Sequence, residues 1–100
     1  MNEDERFIIG SFFIDTEECT MFRKNGNRRL LTKVQTKILE HLYHHRETTR
    51  DALIRAAWKH TDEDFEGALD LQIERINRFF FDGSARIDNT YENTVTLIEK

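Results

Sequence analysis

Between Glu63 and Phe81 the chain reads EDFEGALDLQIERINRFFF, and its apolar residues repeat at helical spacing. Phe65, Leu69, Ile73, Ile76 and Phe80 follow one another at steps of four, four, three and four, which predicts one helix face over about residues 65–81. A face that apolar must be buried against other elements. The opposite side carries Gly67, Asp70, Leu71, Glu74, Arg75 and Arg78, so it points outward. What this outward face touches is the functional question. The rest of the chain has to supply the cover for the inward one.

The upstream residues supply it in two stages. Residues 6–15, RFIIGSFFID, read as one bent strand or two short ones broken at Gly10, and Cys19–Lys24 reads as another strand. Asn25-Gly26 predicts a tight hairpin turn, with residues 27–31 returning as the next strand. Thr32-Lys33-Val34-Gln35 then fits a capping box, and Val34, Ile38, Leu39, Leu42 and Tyr43 form the buried stripe of a first helix. Its end carries His44, His45 and Arg46, which complement the negative pole of the helix dipole. Thr48 and Thr49 both suit the N-cap of a second helix, which turns Leu53, Ile54 and Trp58 inward. Trp58 is expected in the core, between that helix and the sheet or the first helix.

After the organising helix, Asp82-Gly83 marks a stop. Residues 86–90 and 94–98 are β-prone and flank Tyr91-Glu92-Asn93, which predicts a closing hairpin. The expected class is therefore α+β in a single domain, 1–100: an N-terminal antiparallel sheet over 6–31, three helices over 32–81 and a hairpin over 86–98.

Composition agrees. Eight Phe among 100 residues are enough for a modest core, and the single Cys19 permits no internal disulfide, which fits a reducing compartment. No apolar run approaches the ~20 residues of a membrane span, and the acidic start MNEDER is unlike a signal peptide, so a cytoplasmic protein is expected. Net charge is −4, yet residues 23–50 carry eight Lys and Arg against only Glu40 and Glu47. One segment is basic, and it lies upstream of the organising helix.

This order of elements, with Asn25-Gly26, Leu31-Thr32-Lys33-Val34-Gln35-Thr36-Lys37-Ile38-Leu39, Thr49-Arg50-Asp51-Ala52-Leu53-Ile54, Trp58, Ile73, Ile76, Ile87 and Thr90, resembles the OmpR/PhoB-type winged helix-turn-helix DNA-binding domain. With Met1 so close to the first strand, it is most similar to the N-terminal cytoplasmic domain of ToxR-like inner-membrane activators. The resemblance implies a transcriptional regulator that takes double-stranded DNA as its partner. In that family the loop before the third helix also contacts RNA polymerase subunits, a role that would fall here to Asp62, Glu63 and Asp64. A homodimer or another protein partner stays open. The chain departs from the family in three places. Ile76-Asn77-Arg78 stands where Leu-Arg-Lys is usual, Glu92 and Asn93 hold the wing, and Asp70 and Glu74 occupy the DNA-facing side.

On that reading Arg75 and Arg78 are the base readers, since a guanidinium grips guanine O6 and N7 bidentately. Gln72 and Asn77 suit adenine, and Asp70 or Glu74 can accept from cytosine N4. Arg50, Lys33 and Lys37 are the expected phosphate contacts, with Tyr91 and Asn93 added from the wing. The plainer alternatives are a Glu74–Arg78 surface ion pair, worth about 0.3–0.5 kcal/mol, and an acidic 62–64 stretch that merely caps a helix. Leu71 is either an anchor for a thymine methyl or a protein partner, or a single exposed aliphatic residue. His41 and His45 share a helix face, but no further ligand completes a tetrahedral metal set, and no cofactor motif or catalytic constellation is present. An enzyme is not expected. A domain that kept the fold and lost DNA affinity, to serve as a protein-interaction module, is the competing reading.

Overall fold

A computed structural model describes residues 6–58 and 65–100. The tight turn of the first sheet falls at Gly10-Ser11, between β1 (Arg6–Ile9) and β2 (Phe12–Asp15), where Ile9 pairs with Phe12. Gly10 adopts a φ of 61°, the left-handed region such a turn requires. The Asn25-Gly26 expectation is corrected here. Strand β3 (Thr20–Phe22) pairs with β4 (Arg29–Leu30) in the register Thr20↔Leu30 and Met21↔Arg29, so residues 23–28 all belong to the connection. Gly26 only donates its amide to the Arg23 carbonyl at 3.0 Å, without a positive φ. The four strands form an antiparallel sheet in sequence order. Ile9, Phe12, Ile14 and Met21 are buried on its inner side, and Phe7 stacks on Tyr43 of the first helix.

Helix α1 (Lys33–His45) opens with the predicted capping box: Gln35 N–H donates to Thr32 Oγ1, and Thr32 N–H to Gln35 Oε1, both at 3.0 Å. Capping contributes about 1 kcal/mol. Burial of Ile38, Leu39 and Leu42 contributes about 1.5–3 kcal/mol for each side chain, so packing decides where α1 sits. The helix closes on Arg46 at a φ of 52°.

A short strand, β5 (Glu47–Thr49), follows and takes Thr48 out of the capping role. Thr48 pairs with Val95, whereas Thr49 Oγ1 accepts the Ala52 amide at 3.1 Å and caps α2 (Arg50–Trp58). Trp58 departs from its expected place. It is half-buried, and its ring stacks on Phe65 at 5.0 Å instead of entering the centre of the core.

Helix α3 spans Glu66–Phe79, within the expected 65–81. Phe65 occupies the N-cap position with no side-chain capping bond, and its ring stacks on Trp58 at the end of α2; the expected caps Asp62 and Asp64 lie outside the described residues. At the other end buried Phe80 turns the chain, leaving Phe81 in solvent before Gly83 donates back to the Phe80 carbonyl. Leu69, Ile73 and Ile76 are buried as the spacing required.

Strands β6 (Ala85–Asp88) and β7 (Thr94–Glu99) close the chain as the predicted hairpin. They form a second sheet in the order β5-β7-β6, with β7 in the middle. The molecule is thus an α+β fold of three helices and two antiparallel sheets around one core. Among the described residues no helix is long and apolar enough to cross a membrane.

Candidate nucleic-acid interface

The outward face of α3 is the one the spacing predicts. Gly67, Asp70, Leu71, Glu74, Arg75 and Arg78 are all exposed, with Leu71 at 44%. Ile73 and Ile76 point the other way into the core, which fixes the helix's rotation.

Three elements meet at Asp70. Arg50, the first residue of α2, donates from Nη2 to Asp70 Oδ1 at 2.7 Å, and Asn89, just after β6, donates to the same oxygen at 3.0 Å. The Arg50 side chain is only 13% exposed, so it lies against the surface rather than reaching into solvent. Its backbone amide donates to the Asn93 carbonyl at 3.3 Å, which brings the hairpin tip to the start of α2. Tyr91 and Asn93 are exposed at that tip, and Asn93 takes a φ of 61° to turn it. Asn89 falls inside the expected 86–90 strand, which in the structure ends at Asp88, and carries no further signal in the sequence. Its role follows from the register Asp88↔Thr96, which sets the end of β6 beside α3.

Further along α3, Arg78 pairs with Glu74 at 2.9 Å with both side chains well exposed. This is the expected i,i+4 pair, and solvent keeps it weak. Asp70, Glu74, Asn77, Arg78 and Asn89 border an open depression of about 400 Å³. Asp88 beside it is held below the usual carboxylate range by the hydroxyl and amide of Thr90.

Two of the base-reading candidates are engaged inside the fold. Asn77 donates from Nδ2 to the Ile87 carbonyl at 3.0 Å and accepts the Ile87 amide at 2.7 Å, so its amide clamps β6 to α3. Gln72 accepts from Gln35 Nε2 at 2.8 Å, joining α3 to the capping box of α1. Lys33 is exposed at the start of α1. Lys37 borders a different depression, with Glu40, His41 and Ala56. There the His41 and His45 rings lie 4.4 Å apart, tilted by 33°, and His41 bonds Thr48 Oγ1 at 3.0 Å. Burial, and then the neighbouring His45 and His44, hold the His41 pKa below its ordinary value.

The structure therefore gathers Arg50, Asp70, Glu74, Arg78 and the hairpin tip, with Arg75 exposed on the same helix. It sets Lys37 apart and turns Asn77 and Gln72 inward. Asp62, Glu63 and Asp64 lie outside the described residues. No family model and no curated protein matches the chain.

Proposed function

We propose that this chain is a winged helix-turn-helix domain of the OmpR/PhoB type that binds duplex DNA as a cytoplasmic transcriptional regulator. The observation that carries this reading is the meeting of the α2 start, the outer face of α3 and the hairpin tip around Asp70 and Arg50. A helix of 14 residues is about 21 Å long and fits a major groove about 12 Å wide. On this reading α3 enters the groove, Arg75 and Arg78 read bases, and the 91–93 turn lies along the neighbouring backbone. Arg50 serves as a phosphate contact at a helix N-terminus, where backbone amides add donors.

The acidic residues set the terms of binding. Asp70 and Glu74 neutralise Arg50 and Arg78 in the free protein. DNA then has to exchange each carboxylate for a phosphate or a guanine edge. Affinity is correspondingly modest, and discrimination comes from bases that compensate the exchange. A second reading, an interaction module without DNA affinity, draws on the same pairs, on exposed Leu71 and on the net charge of −4.

One titration separates them. The double variant Asp70→Asn, Glu74→Gln should tighten duplex binding at low salt, with log K falling as log salt rises. Arg75→Ala should weaken it. Undetectable duplex binding at low salt by the native chain and the double variant alike would overturn the DNA reading.

A further inference from the structure

A groove of about 630 Å³ opens between residues 23–30 and the C-terminal end of α3, and it shares no lining residue with the depression beside Asp70. Its walls combine two chemistries. Leu30 is 80% exposed and Phe81 68% exposed, the two most solvent-open aliphatic and Phe side chains of the described chain. Beside them the guanidinium of Arg29 lies over the Phe79 ring at 4.4 Å, and that of Arg23 over Phe81 at 5.7 Å. Arg28 lies over Phe22 at 4.0 Å. Arg23 shares Asp82 at 3.6 Å, while Arg28 and Arg29 pair with no carboxylate among the described residues.

We propose that this groove docks an acidic segment of a partner protein that also carries large apolar side chains. A stacked guanidinium has already given up much of its rotational freedom, and its in-plane N–H groups remain available to a carboxylate. Arg28 and Arg29, with Arg23 held on Asp82 and exposed Leu30 and Phe81 beside them, match a segment that alternates carboxylates with Leu or Phe. Charge complementarity is local. The groove's Arg23, Arg28 and Arg29 stand together in the basic 23–50 segment of a chain whose net charge is −4. Base stacking is disfavoured, because guanidinium groups already cover faces of Phe22, Phe79 and Phe81. Apolar contact with Leu30 needs an aliphatic or aromatic side chain from the partner.

The test uses the whole chain and a fluorescent peptide of Asp and Glu carrying one Leu-x-x-Phe pair, followed by anisotropy at low salt. Binding is expected, and Leu30→Ser should weaken it about tenfold, as loss of one buried aliphatic contact does. Arg28→Glu with Arg29→Glu should abolish it, and a peptide with Ser in place of Leu and Phe should bind as weakly as Leu30→Ser binds the original. The Asp70→Asn, Glu74→Gln protein should bind the peptide like the native chain, so this result is independent of the DNA reading. Leu30 is so exposed that Leu30→Ser keeps the native melting temperature and decides the matter if the charge reversal fails to fold. No peptide binding, binding indifferent to Leu30→Ser, or displacement of the peptide by an oligonucleotide that itself depends on Arg28 and Arg29 would overturn the proposal.

Discussion

The amide of Gly10 donates to the carboxylate of Glu99 at 2.7 Å, joining two residues 89 positions apart. The same carboxylate takes the Arg46 guanidinium at the end of α1. Glu99 thereby connects the first sheet, the first helix and the second sheet. Partial burial pushes its pKa up, but Arg46 and the Gly10 amide outweigh that and hold it below the ordinary 4.5. A carboxyl whose pKa is lower folded than unfolded adds stability above the unfolded value, and that stability drains away as pH falls through the folded value. Urea unfolding midpoints should therefore decline as pH falls below about 4.5. Glu99→Gln should start lower at neutral pH and decline less. Buried Asp15, which burial raises but the Glu18 and Glu17 amides and Arg6 bring below 3.8, should keep some slope in that variant.

Gly10→Ala should cost about 1–3 kcal/mol in chemical denaturation, because the new Cβ meets a positive φ and collides with Ser84. Gly67→Ala, on the open face of α3 with nothing within 4 Å, should instead stabilise by about 0.5–1 kcal/mol. Equal effects at the two positions would refute this account of the β1–β2 turn.

Asn77→Ala should destabilise the fold by about 2 kcal/mol, since it leaves both backbone groups of Ile87 without partners in a part-buried position. Hydrogen exchange at the Ile87 amide should accelerate in the same variant. A loss of DNA affinity with no loss of stability would mean that Asn77 acts at bases instead.

Phe65→Ala should shift Trp58 emission to longer wavelength, because the ring stacked on the indole at 5.0 Å is removed. The stability cost should be about 1–3 kcal/mol, less than for a fully buried aromatic residue, as both rings are only half-buried. An unchanged spectrum would place the indole's cover elsewhere.

The parts of this fold with a strong period were readable in the residues. The α3 stripe, the α1 capping box and the closing hairpin all stand where their spacing places them. Strand β5 was not readable, because Glu47-Thr48-Thr49 is too short and too polar to show a β pattern, and its threonines suit a helix cap equally well. Only pairing with β7 makes it a strand. The Asn25-Gly26 signal failed for a related reason: the Thr20↔Leu30 register is set by long-range packing, and it leaves the dipeptide mid-loop. At the candidate site the charged residues could be placed on their faces. Which ones are spent internally, as Asn77 and Gln72 are, depended on how β6 and α1 abut α3.

Strand β7 is the middle of its sheet yet follows every other strand in the chain. During synthesis β5 therefore emerges with no partner, and it waits while α2, α3 and β6 are made. The side chains destined to pack beneath Val95 and Leu97 stay open to water over that interval. A chain halted before Thr94 holds β5 and β6 without the strand that lies between them, and the second sheet forms only once residues 94–99 have been added.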